Sequence, residues 1–147
     1  MRWDKQNQLS SDQAFTATAV TTNSYQKQSA AQDISIGRKM ALLFIVKVAA
    51  GAGSSWTFQA MQADNTALTT NAEILASSEV KTAATLTVGV QVVVRIPEGS
   101  LDQLHIGGKL VSAGAGTETI TCDCYLVPED EIPFYKAFPK VIDAAVG

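Results

Sequence analysis

Residues 120–126 have the sequence Ile-Thr-Cys-Asp-Cys-Tyr-Leu, in which apolar side chains occupy every second position. A β-strand points successive side chains to opposite faces, so this period of two predicts a strand with one buried face. The same alternation occurs at residues 56–60 and at residues 90–96. We also expect a strand at residues 15–20, where apolar residues alternate with threonine.

The stretch Met40–Val48 is apolar at every position except Lys47, which predicts either a central strand or a strand whose second side is covered by a neighbour. Two segments, residues 50–54 and 112–117, share Ala-Gly-Ala-Gly followed by a hydroxyl residue. We expect both to be hairpin loops, because glycine supplies the positive φ that such turns need. The glycine pair at residues 107–108 interrupts another strand pattern and predicts a bulge.

Helical patterns are weak throughout the sequence, and residues 67–79 predict one short helical turn at most. About eight short strands separated by turns therefore predict an all-β fold, an antiparallel sandwich or barrel. We divide the chain into an N-terminal arm at residues 1–13, a β-sandwich domain at residues 14–127 and an extended C-terminal tail at residues 128–147. Within the sandwich, Asp64-Asn65-Thr66 predicts a turn.

Length and charge restrict the class of protein and its partners. The chain has 147 residues, which suits one domain, and its net charge is −3 with scattered Lys and Arg. This balance disfavours nucleic acid and anionic membrane surfaces as partners. No apolar run approaches the roughly 20 residues of a membrane-spanning helix. The start of the chain lacks the apolar stretch of a secretion signal, so we expect synthesis in a cytoplasm without export.

The cysteine pair and the single histidine do not predict a metal site. Cys122 and Cys124 would lie on the same face of one strand, about 6.5–7 Å apart, which is at the edge of disulfide reach. We expect two small buried side chains, because a zinc site would need two further ligands. A proton relay through His105 would need a nearby carboxylate, and Asp102 would lie on the opposite face of a strand. We therefore expect His105 to be half-buried or at an interface. No cofactor is expected.

Catalytic motifs are absent or incomplete. Gly107-Gly108-Lys109-Leu110 is similar to the end of a phosphate-binding loop, but Gln103 stands where the first glycine is required and Leu110 replaces the magnesium-binding hydroxyl. The acidic run at residues 129–131 lacks the alternating spacing of a calcium loop and predicts a solvated turn. Trp56 alternates with Phe and Ala, which favours a core position over a sugar-binding platform. We therefore expect no enzymatic activity.

The C-terminal tail changes character from the rest of the chain. Its three prolines exclude a regular central strand or helix, yet the segment is aromatic and apolar. Such a segment has to be buried, either on its own domain or on a neighbouring subunit. Large apolar side chains typically anchor protein interfaces. The predicted residues for contact with another protein or a neighbouring subunit are Trp3, Ile132, Phe134, Tyr135, Phe138, Val141 and Ile142.

Five stretches occur in an order and spacing that match a known family. They are Leu9-Ser10-Ser11-Asp12-Gln13-Ala14, Leu75-Ala76-Ser77-Ser78, Arg95-Ile96-Pro97-Glu98-Gly99, Leu104-His105-Ile106, and the glycine-rich loop before Thr119–Val127. In these stretches the chain resembles the jelly-roll cement proteins of tailed bacteriophages, a type first recognised in a Bordetella phage. The resemblance extends from about residue 9 to residue 127.

This resemblance implies a jelly-roll domain that forms a homotrimer and binds the major capsid protein on the outer surface of the virion. The expected position is at three-fold or quasi-three-fold sites of an HK97-type shell, where the protein bridges adjacent capsid subunits and stabilises the shell without catalysis. Two alternatives remain. A carbohydrate-binding β-sandwich of a phage tail or host-recognition protein would need an exposed aromatic patch, and a jelly-roll enzyme would need a bound metal.

Overall fold

The structure of the protein, a computed structural model, describes residues 8–27, 29, 39–114 and 118–131. These residues form ten strands and a short 3-10 helix. The elements are β1 (Gln8–Phe15), β2 (Ala19–Val20), β3 (Tyr25–Gln26), β4 (Met40–Val48), β5 (Ser55–Ala63), β6 (Glu73–Ser77), β7 (Lys81–Thr82), β8 (Gln91–Arg95), β9 (His105–Ser112), β10 (Ile120–Pro128) and the 3-10 helix Glu129–Glu131.

The strands form two antiparallel sheets that enclose a common core. The first sheet has the order β1-β10-β4-β8, and the second has the order β2-β9-β5-β6, with β3 beside β9 and β7 beside β5. The chain changes sheet six times, between β1 and β2, β3 and β4, β4 and β5, β7 and β8, β8 and β9, and β9 and β10. This arrangement is consistent with the predicted jelly roll. The predicted all-β antiparallel sandwich is confirmed.

The core is built from the inward side chains that the period of two predicts. Leu42 and Phe44 of β4 pack in one buried cluster with Trp56 and Phe58 of β5. The rings of Phe44 and Phe58 meet edge to face, with centroids 5.1 Å apart and planes at 60°. Strand β4 pairs with β10 on one side and β8 on the other, so its predicted central place is confirmed.

Strand β1 begins at Gln8, inside the segment that was predicted to be the N-terminal arm. Within this strand, Leu9 and Ser10 are fully buried. Its pairing with β10 shifts register on both sides of Ser10, and Asp12 has a φ of 48°. These irregularities interrupt the alternation of buried and exposed side chains. The sequence pattern therefore did not predict this strand. At the other end β10 stops at Pro128, next to the predicted boundary.

The predicted strand at residues 15–20 is two strands in different sheets. Strand β1 ends at Phe15 and β2 begins at Ala19, with a bend between them. The backbone N–H of Ser112 donates to Thr18 Oγ1 at 3.0 Å, which ties this bend to β9. An alternation of Thr and Ala does not show which face is buried, because both side chains are small enough to lie in the core or at the surface.

The two glycine-rich loops are not hairpins. The loop at residues 50–54 joins β4 to β5, and the second loop joins β9 to β10, so each connects one sheet to the other. Since β4 lies beside β10 and β5 lies beside β9, the described ends of the second connection lie beside the first loop. The N–H of Gly51 donates to the carbonyl of Thr119 at 2.8 Å. Alternation shows which face of a strand is buried but does not show which sheet the strand joins.

The predicted bulge at Gly107 and Gly108 is also wrong, because β9 stays in register with β5 through both residues. The glycines allow close packing instead. A Cβ atom on Gly108 would lie 2.9 Å from Cζ of Phe44, and one on Gly107 would lie 2.2 Å from Cδ1 of Leu68. Both glycines therefore leave room for side chains that pack onto β9.

Residues 64–71 form a polar turn, and strand β6 follows where a helical turn at most was predicted. The side-chain Oδ1 of Asn65 accepts the N–H groups of Thr69 and Thr70, each at 2.9 Å, which confirms the predicted turn. Strand β6 lies at the edge of its sheet with Glu73 and Ile74 exposed. An edge strand with exposed residues lacks the alternation by which the other strands were predicted.

Candidate functional site

The predicted interaction residues lie outside the residues that the structure describes. This holds for Trp3 in the N-terminal arm and for the tail residues Ile132, Phe134, Tyr135, Phe138, Val141 and Ile142. Contact between these side chains and the capsid or a neighbouring subunit therefore stays a prediction. The described residues contribute two other apolar surfaces, one of them buried and one exposed.

The first surface is the outward side of the four-stranded sheet. Leu43 of β4 lies between Tyr125 of β10 and Val93 of β8, and Leu43 is 0% exposed. The apolar cluster on this side, which we call the outer face, consists of Ala41, Leu43, Ile45, Val93, Tyr125 and Val127. A cover on the second side of β4 was one of the two predicted alternatives, and the burial of this cluster confirms it.

Polar side chains border the outer face at the end where β4 finishes. The Oδ1 atom of Asp123 accepts the backbone N–H of Asp12 at 2.7 Å, and Oδ2 lies 3.8 Å from Nζ of Lys47. The amide nitrogen of Gln8 donates to the hydroxyl of Tyr125 at 3.2 Å. These contacts give the buried polar atoms partners and fix β1 against β10 across its irregular register.

The acidic run that follows β10 borders the outer face at its other end. The N–H of Glu129 donates to the carbonyl of Lys39 at 2.8 Å, next to the start of β4. The Glu129 carboxylate forms an ion pair with Arg95 of β8. The predicted solvated turn is therefore a short helix that is tied to the neighbouring strands.

The second surface is one edge of the sandwich, where β6 ends one sheet and β8 ends the other. The large apolar side chains that are exposed within the described part of the chain are Val48, Ile74, Val80 and Val88. Ile74 belongs to β6, and Val80 and Val88 belong to the connection from β6 to β8. The N–H of Gly89 donates to the carbonyl of Val46 at 2.8 Å, which brings Val88 to the end of β4. We call this surface the β6–β8 edge.

A cleft of about 430 Å³ opens in the β6–β8 edge. Its lining consists of Ser77, Ser78, Glu79, Lys81, Thr85, Leu86, Val90, Gln91, Val92 and Val93. Val80 and Val88, which are 58% and 62% exposed, are close in sequence to this lining. Apolar side chains beside hydroxyl, amide and charged groups are typical of surfaces that bind protein. The sequence did not predict this surface, because single valines in a loop form no periodic pattern.

Cys122 and Cys124 are free thiols buried on the inner side of β10, as predicted. Burial raises the pKa of Cys122 to about 12, and the charge of Asp123 contributes in the same direction. Burial also raises the pKa of Cys124, with smaller contributions from Cys122 and Asp123. A thiol that stays protonated is a poor nucleophile and a poor metal ligand, so both cysteines act as core side chains.

His105 is more deeply buried than predicted, with its Nδ1 atom 3.1 Å from the hydroxyl of Ser24. Asp102 is bound to another residue: its carboxylate accepts the amide N–H of Gln62 at 2.7 Å. A proton relay needs a carboxylate that contacts the imidazole. The Asp102 carboxylate binds Gln62 and does not supply that contact.

Gln62 joins β5 to the loop before β9, a role that the sequence analysis missed. Its side-chain oxygen accepts the N–H groups of Asp102 at 3.0 Å and Gln103 at 3.1 Å. Its amide nitrogen donates to the carboxylate of Glu73 at 2.9 Å as well as to that of Asp102. Gln62 continues the series of inward positions in β5, so a polar residue at an inward position was the signal that could have identified it.

Trp56 is fully buried in the core, as predicted. Its ring therefore cannot stack on a sugar at the surface, and the carbohydrate-binding alternative loses the aromatic that it would need here. Among the described residues, no three side chains of His, Cys, Asp or Glu come close enough together to hold a metal ion. Within the same residues, no helix has the length and apolar character to cross a membrane.

Comparison with known proteins identifies the family of the chain. A family model described as Bbp16 matches residues 9–121, about three quarters of the sequence, from β1 to the start of β10. This family name is associated with a Bordetella phage, which agrees with the phage origin predicted from the sequence. No curated protein matches the chain. From the extent of the family match, the chain belongs to the Bbp16 family.

Proposed function

We propose that the protein is a capsid cement (decoration) protein. It binds the outer surface of a tailed-phage head as a homotrimer and bridges adjacent copies of the major capsid protein, without catalysing a reaction. The observation that carries the proposal is membership of the Bbp16 family over most of the sandwich. The phage association of the family name and the resemblance to jelly-roll cement proteins support the same class of function.

The β6–β8 edge is the proposed contact surface for the major capsid protein. Val80 and Val88 are exposed there beside a cleft with hydroxyl and charged groups. Apolar side chains gain free energy when a partner removes them from water, and the polar groups around them can pair across the interface. The edge therefore offers both the attraction and the specificity that a subunit contact requires.

The sandwich suits a bridging role because its core is filled by large, interlocked side chains. Phe44 and Phe58 from opposite sheets pack together, and Trp56 is fully buried beside them. Such a block transmits force between two attached subunits without unfolding locally. Three linked attachments in a trimer also raise the overall affinity well above that of one site. Repeated contacts of this kind would oppose the opening of a shell under internal pressure.

The first test is binding to phage heads that lack the protein. The purified protein is expected to cosediment with such heads, to appear by cryo-electron microscopy at three-fold positions on the outside, and to have the native mass of a trimer. It should also raise the temperature at which the heads open. A monomer that does not bind heads, or density confined to the tail, would contradict the proposal.

The second test addresses the contact surface. The double substitution Val80→Asp and Val88→Asp is expected to weaken head binding at least about ten-fold, because two charges would lie in an apolar contact. The matched control is the double substitution Thr16→Asp and Thr22→Asp, which adds the same charge. Both threonines are exposed near β1 and β2, at the opposite edge of the sandwich. Equal head binding by both variants would remove the β6–β8 edge from the proposal.

A further inference from the structure

We infer that residues 132–147 cover the outer face of the four-stranded sheet in the same chain. The first observation is burial: Ala41 and Leu43 are 0% exposed and Tyr125 is 5% exposed, although they point away from the core between the sheets. Side chains on a bare sheet face contact only neighbours in the same layer and keep their upper surface open to water. Something therefore lies over this face.

Among the described residues, no apolar side chain outside β4, β8 and β10 packs on this cluster. Each described member of the outer face belongs to β4, β8 or β10. The main contacts of β4 and β10 are with each other, with β1 and with β8, all in the same sheet. The cover therefore comes from the chain outside the described residues, which consists of residues 1–7, 28, 30–38, 115–117 and 132–147.

Composition selects the C-terminal segment among these candidates. Residues 1–7 have two large apolar side chains among charged and amide groups, and residues 30–38 have two isoleucines among small and polar residues. Residues 115–117 are Ala-Gly-Thr. The large apolar side chains of residues 132–147 are Ile132, Phe134, Tyr135, Phe138, Val141, Ile142 and Val146. Covering an apolar cluster stabilises the fold in proportion to the apolar area removed from water, so this segment matches the outer face best.

The chain also leaves β10 on the correct side of the sheet. Glu129 is bound to the backbone of Lys39 and forms its ion pair with Arg95. Arg95 follows the inward Val94 in β8, so its side chain starts on the outer side. The short helix after β10 therefore crosses the end of the outer face past β4 toward β8, and the following residues begin there.

The segment is long enough to span the face. An extended chain advances about 3.3 Å per residue, which gives roughly 50 Å for residues 132–147. Neighbouring strands are about 4.8 Å apart, and a strand with the nine residues of β4 is about 30 Å long. Of the two alternatives for the tail, this inference selects packing on its own domain. It concerns the isolated chain and does not rest on the proposed function.

A photo-crosslinking experiment on the full chain tests the inference. A small diazirine-bearing aliphatic side chain replaces Val93, which is half-buried at the margin of the outer face. The matched control carries the same group at Thr57, an outward position of β5 in the other sheet. Equal amounts of isotopically light and heavy protein are mixed, unfolded in urea and refolded together before irradiation, so that any oligomer contains both labels. Proteolysis and mass spectrometry then identify the peptide that is joined to each probe.

The expected product joins the probe at position 93 to a peptide from residues 132–147 with the same isotopic label. The control probe at position 57 should give no such product. Attachment to residues 1–7 or 30–38, or a lack of products with residues 132–147, would overturn the inference. Products of mixed label would overturn it as well and would identify a second copy as the cover. Failure to bind phage heads would leave this result unchanged, so the two proposals can fail separately.

Discussion

Gly108 of β9 lies against the ring of Phe44 of β4, and a Cβ atom at position 108 would come within 2.9 Å of the ring atom Cζ. The two residues belong to different sheets, so this contact sets how closely the sheets can approach each other in the core. The same ring meets Phe58 edge to face. The packing of the sandwich is therefore sensitive to one methyl group at position 108.

Gly108→Ala is expected to lower the free energy of unfolding by about 1–3 kcal/mol, because the added methyl group overpacks the core. The measurement is urea unfolding monitored by tryptophan fluorescence. Phe44→Leu removes the ring atom that the methyl group meets, so Gly108→Ala should cost less in that background. A double-mutant cycle measures this coupling, and an equal cost in both backgrounds would contradict the contact.

Gln62 offers a prediction about a buried polar network. Gln62→Leu removes the acceptor for the N–H groups of Asp102 and Gln103, which should cost about 1–3 kcal/mol for each group left without a partner. Gln62→Glu keeps the acceptor but places a further carboxylate beside Glu73 and Asp102. The pKa of the introduced carboxylate should be raised by these neighbours, so the stability that is lost at pH 7 should be regained as the pH falls.

The check is to measure unfolding of the wild type and both variants at pH 4 and pH 7. The difference between the wild type and Gln62→Glu should shrink at pH 4, whereas the difference for Gln62→Leu should stay nearly constant. The Leu variant is the control, because it introduces no titrating group. A Gln62→Glu deficit that does not change with pH would contradict the network.

Regular alternation allowed four of the long strands to be predicted from sequence. Strands β4, β5, β8 and β10 each place apolar residues at every second position or at every position. Strand β1 was hidden because the irregular pairing near Asp12 shifts its side chains out of phase. The order of strands could not be obtained in this way, because alternation reports the burial of a face and not the identity of the neighbouring strand.

The candidate site was less predictable than the fold. The sequence indicated that apolar side chains outside the sandwich have to be buried, and it named the tail for this role. It did not indicate the β6–β8 edge, since the exposure of Val80 and Val88 depends on the path of the connection from β6 to β8 and not on a periodic pattern. It allowed a cover on the second side of β4 but did not indicate the contribution of Tyr125 and Val127 to the same face.

The buried thiols give a prediction at alkaline pH. Burial raises the pKa of Cys122 to about 12 and raises that of Cys124 as well, whereas an ordinary thiol has a pKa near 9. Between about pH 9 and pH 12 the unfolded chain releases protons that the folded protein keeps. The free energy of unfolding should therefore fall with rising pH, by at most about 1.4 kcal/mol per pH unit for each thiol, with no effect below about pH 8.

Unfolding of the wild type and of the double variant Cys122→Ala and Cys124→Ala, measured from pH 7 to pH 11, checks this prediction. The wild type should lose stability relative to the double variant as the pH rises, because other titrating groups are common to both. Thiol reagents at pH 8 should label the folded protein only as fast as it opens. Rapid labelling that is independent of stability would contradict the burial of both cysteines.

Leu43 and Leu42 are adjacent in β4, point to opposite sides of the sheet and are both 0% exposed. Leu43→Ala on the outer face is therefore expected to cost as much as Leu42→Ala in the core, about 2–5 kcal/mol each. On an open sheet face, by contrast, truncating a leucine would leave no cavity. A cost below about 1 kcal/mol for Leu43→Ala in the full chain would show that the outer face is open to water.

The same two substitutions test which segment covers the outer face. In a chain that ends at Glu131, Leu43 loses its cover while Leu42 keeps its neighbours in the core. The cost of Leu43→Ala should then fall below about 1 kcal/mol, and the cost of Leu42→Ala should stay in its original range. Urea unfolding of the three proteins in each background gives both differences, with Leu42→Ala as the control for general loosening of the truncated fold. Equal costs of Leu43→Ala with and without residues 132–147 would mean that another segment covers this face.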